Sequence, residues 1–331
     1  MHLINCWIVS DGKPGMENQC LGLAEALGIT PVIKRVKLRT PWRQLSPWLR
    51  LGKRFAAGPA GDSLQPPWPD LVIATGRHSV VPALSIRQRS GNRTFSVQIQ
   101  DPVIHPRHFD MVVVPGHDRL RGNGVWVTEG ALHRVTPDKL ASAAARFAPL
   151  YEHLPRPRIA VLIGGNNGVY RLTPTIMNDF AERLVHWARD VGAGLMVTPS
   201  RRTGSDNEAL LRARMGEVPS VVWDGRGENP YFAFLGLADA IVVTCDSVSM
   251  ISEACSTGKP VYLASLEGGS AKFRAFHDRL SAAGLIRPFD GRFELWQNRA
   301  LDDTQRIAVE VRRCMALKAA NLKDSTNTCH G

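Results

Sequence analysis

Three short segments in the second half of this chain carry residue types that hold phosphate. Gly164-Gly165-Asn166-Asn167-Gly168 follows the apolar run Arg158–Ile163. Glycines let a loop turn several backbone N–H groups toward one anion with no Cβ in the way. Ser200-Arg201-Arg202-Thr203-Gly204 follows a second apolar run, and a guanidinium can pair with two phosphate oxygens at once. The third segment, Cys245-Asp246-Ser247, separates the run Ala240–Thr244 from a helical pattern ending at Gly258. With Asp246 or Ser247 as the cap, Met250, Ile251, Ala254 and Cys255 form the buried stripe of that helix. Ser249, Ser252, Glu253 and Ser256 then fall on the other face. A phosphate would meet the free N–H groups of the first turn, and Glu253 would accept from ribose hydroxyls. Each loop alone is also an ordinary turn or cap. Their recurrence at successive strand ends is what points to a diphosphate.

The first half repeats the plan with other residue types. Polar loops follow its strands at Asp11-Gly12-Lys13-Pro14-Gly15, Thr75-Gly76-Arg77-His78 and Gln98–Pro102. A transfer to a hydroxyl needs a general base within hydrogen-bond reach, for which Asp11, Glu17, His78 and Asp101 are unranked candidates. Lys13, Arg77, Lys272 and His277 are candidates for touching a sugar or an acceptor. In Ser270–Leu280, Phe273, Phe276 and Leu280 make a core stripe that leaves Lys272, Arg274 and His277 to solvent or ligand.

These loops need a scaffold, and short apolar strands alternating with amphipathic helices describe an α/β protein. Strands are expected near 3–9, 31–36, 70–74, 94–98, 110–114 and 125–127, then near 158–163, 194–198, 220–223, 240–244 and 260–264. Helices are expected near 16–27, 79–89, 137–147, 174–190, 205–215, 229–237, 247–257, 270–283 and 302–319. Thr173-Pro174 reads as an N-cap with Pro at N1, and Ser205–Glu208 as a capping box. The Pro-rich, basic stretch 152–157 divides a domain 1–151 from a domain 158–331, with the last helix packing back on the first domain. Two Rossmann-like halves place the expected site in a cleft at the carboxyl ends of their strands.

The bulk properties exclude several classes. Lys and Arg total 41 against 30 Asp and Glu, a net +11 that favours anionic partners. The six cysteines (Cys6, Cys20, Cys245, Cys255, Cys314, Cys329) make no Cys-x-x-Cys pair and no zinc spacing, so no metal site is expected and the thiols fit a reducing cytosol. No signal peptide and no run of ~20 apolar residues is evident, so a cytoplasmic protein is expected, peripheral at most to the inner membrane. Trp42, Trp48 and Phe55 interleave with Arg39, Arg43, Arg50, Lys53 and Arg54 in the segment Arg39–Phe55, a composition suited to an anionic bilayer surface. No nucleic-acid-binding motif accompanies it, so no nucleic acid partner is expected. A dehydrogenase is disfavoured, because Ser200-Arg201-Arg202 stands where an acid would hold the NAD ribose.

The segment Ala238–Leu263 resembles the nucleotide-sugar-binding segment of GT-B glycosyltransferases such as MurG and lipid-A-disaccharide synthase. It also resembles that of the non-hydrolysing UDP-N-acetylglucosamine 2-epimerases. The resemblance puts Ser252-Glu253 in the Ser-Glu position, with Glu253 on the ribose, and Gly258-Lys259-Pro260 in the Gly-Lys-Pro position. It sets Gly164–Gly168 facing the cleft. Nearly the whole chain resembles the "elongated mitochondria" mitochondrial-fission family and its bacterial members. The motifs are SDGKPGMENQCLGLAEALG (10–28), ATGRHSVVPAL (74–84), QIQDP (98–102), TEGALHRVTP (128–137), LIGGNNGVYRLT (162–173), SRRTG (200–204), NPYFAFLGLADAIVVTCDSVSMISEA (229–254) and SAKFRAFHDRL (270–280). The resemblance implies a metal-independent glycosyltransferase that needs no cofactor, uses a nucleotide-diphosphate sugar as substrate and acts on a lipid or envelope-related acceptor. The alternatives it leaves are a 2-epimerase-like enzyme and a scaffold that recruits a protein partner. Where MurG-like transferases carry a His in the first loop, this chain has Met16 beside Glu17.

Overall fold

Alternate residues of the central strands face two different cores, which is why those strands read as unbroken apolar runs. The computed structural model describes residues 4–327, apart from the side chains of Arg54 and of 322–327. Positions 1–3, which include the first residue of the first expected strand, and 328–331, which include Cys329, lie outside the described residues. The chain divides into two units, one formed by Met1–Arg134 with Asp302–Gly331 and the other by Val135–Leu301.

In chain order the first unit holds β1 (Cys6–Ser10), α1 (Pro14–Ala26), β2 (Val32–Arg35), α2 (Trp42–Leu45), β3 (Leu71–Thr75), α3 (Arg77–Arg89), β4 (Phe95–Ile99), β5 (Met111–Pro115) and β6 (Val125–Thr128). The strands form one parallel sheet in the order β2-β1-β3-β4-β5-β6. Cys6 and Ile8 pack with Cys20 and Leu23 of α1, while Trp7 and Val9 pack with Val80, Ala83 and Leu84 of α3.

The second unit holds α4 (Pro137–Tyr151), β7 (Arg158–Ile163), β8 (Tyr170–Arg171), α5 (Pro174–Val191), β9 (Gly194–Pro199), α6 (Ser205–Met215), β10 (Ser220–Val222), α7 (Tyr231–Leu237), β11 (Ala240–Thr244), α8 (Val248–Cys255), β12 (Val261–Ala264), β13 (Glu267–Gly268), α9 (Ala271–Ala282) and β14 (Arg287–Pro288). Its main sheet is parallel in the order β10-β9-β7-β11-β12-β14. Ile159, Val161 and Ile163 face α5 and α6, and Ala160 and Leu162 face α4, α7, α8 and α9.

The last helix, α10 (Asp303–Asn327), belongs to the first unit. Ile307, Ala308 and Val311 are buried beside α1, and full burial of an Ile or Val is worth ~1.5–3 kcal/mol. Asp303 Oδ2 accepts from the N–H groups of Glu129 and Gly130, both at 2.9 Å. The stretch 152–157 lies inside the second unit, because Ala143, Phe147 and Tyr151 of α4 join that unit's core. Tyr151 meets Phe234 of α7 edge to face, centroids 5.2 Å apart. Helical periodicity reveals an apolar face but not the sheet it covers.

Local signals hold at some helix starts and fail at one. Thr173 accepts from the Ile176 N–H at 3.3 Å with Pro174 at the first helical position. The Ser205–Glu208 capping box does not form. Gly204 is the cap residue of α6, with φ +82°, and Ser205 turns its hydroxyl to Asp206 instead. The short ladder of β8 with β13, the helix α2 and the strand β14 had no sequence expectation.

Candidate functional site

In each parallel sheet the strand order reverses once, and loops at such a switch point splay apart to leave room for a ligand. In the second unit the reversal falls between β7 and β11, with β9 on the other side of β7. The three phosphate-type loops leave these three neighbouring strands, and they are knitted together. The Gly164 N–H donates to Thr244 Oγ1 at 2.8 Å and the Gly165 N–H to Asp246 Oδ2 at 3.1 Å. The Thr244 hydroxyl donates to Asp246 Oδ1 at 2.6 Å, and Arg202 Nη1 lies 2.7 Å from Asp246 Oδ2. From the other side, Ser200 and Thr203 donate their hydroxyls to the Gly164 carbonyl at 2.6 and 2.8 Å.

Both glycines are required by this closeness. A Cβ at Gly164 would lie 2.2 Å from Asp246 Oδ2. At Gly165, where φ is +139°, it would lie 2.1 Å from the Arg202 carbonyl oxygen. Asn166 and Asn167 shape the loop itself. Asn167 Oδ1 accepts from the N–H groups of Val169 and Tyr170 at 2.8 and 2.9 Å, and its Nδ2 donates to the Asp246 carbonyl at 3.1 Å. Asn166 Oδ1 accepts from the Leu172 N–H at 2.8 Å. Gly168 and Arg201 stay exposed, and Arg201 makes no hydrogen bond or ion pair among the described residues.

Of the two cap candidates for α8, Ser247 serves, accepting from the Met250 N–H at 3.4 Å. Asp246 is buried in the network above. Ile251, Ala254 and Cys255 are buried as expected, whereas Met250 is half-buried. Two residues assigned to the open face need correction. Ser252 is fully buried, and Glu253 is buried with Oε2 accepting from the Tyr231 hydroxyl at 2.5 Å. Burial, then the Glu253 charge, pushes the Tyr231 phenol well above its ordinary pKa. A helical wheel treats any polar face as solvated, but here Tyr231 of α7 covers it. Ser249 remains half-exposed on the first turn.

His277 also departs from expectation. It is half-buried, not solvent-facing. Its Nε2 is buried without a partner, and burial lowers its pKa. Phe276 and Leu280 are in the core, while Phe273 is partly buried against Tyr170, centroids 5.0 Å apart. Lys272 and Arg274 are exposed.

Sequence reading missed a fourth loop, Glu267-Gly268-Gly269-Ser270, at the end of β12. Its β13 pairs antiparallel with β8, so it lies against the loop that follows β7. A Cβ at Gly268 would lie 2.3 Å from the Val169 carbonyl oxygen, and Ser270 caps α9 by accepting from the Phe273 N–H at 3.3 Å. The signal was present: a Gly pair soon after an apolar strand, as at 164–165. Lys259 has a structural task, donating Nζ to the carbonyls of Leu235 and Gly236 at 2.6 and 2.7 Å at the end of α7.

In the first unit the order reverses between β1 and β3, with Asp11 in the loop after β1 and His78 in the first turn of α3. Asp11 Oδ2 lies 2.8 Å from Lys13 Nζ and 3.7 Å from His78 Nδ1, while its Oδ1 is buried without a partner. Glu17 is differently placed. It is buried, accepts from the Ser10 hydroxyl at 2.7 Å and pairs with Arg35 Nε and Nη2 at 2.8 and 3.0 Å. The Arg35 hydrogen bonds hold its carboxyl below the usual range, so it is a structural anion. Met16, in place of the anticipated His, lies over Gly76. Arg77 donates to the backbone carbonyls of Ser46 and Gln44 and covers the Trp48 ring at 5.2 Å. Asp101 is exposed and accepts from the Val103 N–H at 2.7 Å. Among the described residues no group of three His, Cys, Asp or Glu side chains could hold a metal ion, and no helix is long and apolar enough to cross a membrane.

The model of the family described as mitochondrial fission ELM1 matches residues 14–315. The mitochondrial fission protein ELM1 of Arabidopsis thaliana is 28% identical over 96% of this chain and 92% of its own. Among solved structures, a UDP-GlcNAc 2-epimerase from Neisseria meningitidis bound to UDP-GlcNAc superposes with TM-score 0.53 at 12% identity, over 92% of this chain and 99% of that one. MurG of Acinetobacter baumannii gives 0.50 at 12% identity, over 94% and 99%. At such identities the likeness establishes the fold, which is that of the GT-B class.

Proposed function

We propose, on the premise that this chain belongs to the mitochondrial fission ELM1 family and carries the GT-B fold, that its second unit binds a nucleoside-diphosphate sugar as a glycosyl donor, without a metal ion. One observation carries the reading: three polar loops, two of them bearing Gly or Arg, converge at the switch point of that unit, and Arg201 in one of them makes no hydrogen bond or ion pair among the described residues.

In this reading the diphosphate lies over the first turn of α8, between the N–H groups around Ser249 and the guanidinium of Arg201. Backbone dipoles and a fixed cation stabilise the departing diphosphate, the role a metal has in other transferases. Glu253, held by Tyr231, accepts from the ribose. Exposed Lys272 is offered to the sugar, whereas His277 keeps its Nε2 buried. Asp11 and His78 form the titratable pair at the first unit's switch point and are the base candidates for a hydroxyl presented there. A lipid or envelope-related acceptor, on the cytoplasmic side of a membrane, completes the proposal. UDP is the first nucleotide to try, because the Neisseria epimerase of the same fold was solved with UDP-GlcNAc.

A second reading has its own support. Arg202, Asp246, Asn166, Asn167 and Glu253 already satisfy one another or neighbouring groups, as expected of a fold kept for a protein partner. Calorimetric titration with UDP-, GDP- and ADP-sugars, in the presence of a chelator, separates the two. Binding of one of them that is lost in Arg201→Ala supports the donor site, and no binding to any of them removes it. Solvent-proton exchange into a bound sugar without an acceptor would replace transfer by epimerisation.

A further inference from the structure

We infer that the first unit docks on an anionic phospholipid bilayer, taking a lipid phosphate into a cationic pocket built partly by an excursion that also exposes apolar side chains. The pocket, about 330 Å³, lies between the excursion linking β2 to β3 and the C-terminal half of α3. Arg50, Lys53, Arg87 and His108 line it, together with Leu84, Gln88 and Asn92. A cavity of this size suits a phosphorylated headgroup.

The pocket holds surplus positive charge. Burial first, then Arg50 and Arg87, keep the Lys53 amine below its ordinary pKa. Burial, then Arg50 and three further basic neighbours, does the same to His108. Arg50 Nη1 lies 2.5 Å from His108 Nε2, so that imidazole accepts and is neutral. Asp110 faces Arg87 at 3.3 and 3.4 Å, but it is shared with Lys318 at 3.0 Å and so offsets one charge of the two. Between Glu25 and Asp62 the chain has eight basic residues and no acid. A phosphate entering the pocket relieves this repulsion.

The apolar side chains of the same excursion favour a lipid as the source of the anion. Leu45, Trp48, Leu51 and Phe55 are 48%, 60%, 82% and 54% exposed, in the same excursion as Arg50 and Lys53. Aliphatic Leu45 and Leu51 have no use against stacked bases, whereas an acyl boundary buries them favourably. The excursion is pinned, which lowers the ordering cost of docking. Trp42 Nε1 donates to the Leu51 carbonyl at 3.1 Å, and the Ser46 hydroxyl donates to the Arg77 carbonyl at 2.9 Å. Arg87 is ten residues along α3 from Arg77, roughly 15 Å. The pocket is therefore separate from the Asp11–His78 loops, and it does not depend on the proposed donor site.

The experiment is co-sedimentation of the full chain with vesicles of phosphatidylcholine alone and of phosphatidylcholine mixed with phosphatidylglycerol. Binding is expected to the mixed vesicles only, weakening as salt rises. Each cation removed from such a surface costs about fivefold in affinity. Arg50→Gln/Lys53→Gln should thus lose about 25-fold by the same rule, and Leu51→Ser/Phe55→Ser should also lose binding, both with an unchanged thermal midpoint. The control Arg183→Gln/Arg226→Gln, exposed cations of the second unit, should bind as the parent does. Equal binding to neutral vesicles, an equal loss in the control, or tighter binding to a duplex oligonucleotide at the same ionic strength overturns the inference.

Discussion

The Arg202 guanidinium and the Asp246 carboxylate meet at 2.7 Å, the Asp246 side chain fully buried and that of Arg202 37% exposed. The pair ties the end of β9 to the end of β11 across the Gly-rich loop of β7. Asp246 also accepts from the Gly165 N–H and the Thr244 hydroxyl, so three donors depend on one carboxylate. Asp246→Ala strands the two buried ones, at ~1–3 kcal/mol each. A loss of about 2–6 kcal/mol would lower the thermal midpoint by roughly 4–24 °C for a unit of this size. Arg202→Ala, whose guanidinium reaches solvent, should cost less than half as much. Equal losses in a melting experiment would contradict this account of the pair.

Two glycines of one loop should behave oppositely. Gly165→Ala places a Cβ on the Arg202 carbonyl at a positive φ and should both destabilise the second unit and abolish nucleotide binding. Gly168→Ala has nothing within 4 Å of the new Cβ and should leave the thermal midpoint where it is. Comparable melting of both variants would show that the loop closes differently.

Tyr231 and Glu253 allow structure and binding to be separated. Tyr231→Phe takes a hydrogen bond from a buried carboxylate and should cost about 2 kcal/mol of stability. Glu253→Gln keeps a hydrogen-bonding side chain of the same size. If Glu253 meets the ribose, this variant should fold yet bind the nucleotide about tenfold or more weakly, the scale of one charge-assisted hydrogen bond. Unchanged affinity in Glu253→Gln would confine the residue to a structural role.

Lys259 should leave a mark on the pH dependence of stability. Burial pulls its amine from 10.5 down to about 8. Between these values the unfolded chain holds a proton that the folded chain has released, so folding is favoured as pH rises through that window. Below pH 8 the amine is charged in both states and its burial cost is constant. Relative to Lys259→Met, the parent should therefore gain about 1.4 kcal/mol per pH unit from 8 toward 10 in denaturant titrations. A difference independent of pH in that range would mean that the amine is not desolvated.

The fold was legible because the parallel strands are buried on both faces. Arg158–Ile163 and Ala240–Thr244 are strands over the expected residues, and every main helix starts within two residues of its amphipathic pattern. The candidate site was legible only in part. Gly164 and Gly165 were singled out for their freedom of backbone, which is a local property. Glu253 was placed on the open face because nothing in its helix shows that Tyr231, 22 residues earlier, covers it. Glu17 looked like a base until Arg35 and Ser10 were found on its two oxygens.

The sequence by itself determined the alternation of strand, loop and helix, the polar chemistry at the strand ends and the excess of positive charge, since all three follow from residue types at short spacing. Tertiary structure decided which polar groups satisfy one another and which stay open. Asp246 is committed to Arg202, Gly165 and Thr244, Arg77 to the excursion before α3, and Lys259 to the end of α7, while Arg201 has no partner among the described residues. The partner of a buried charge is chosen by which strands lie side by side in the sheet, and that order is a property of the folded chain.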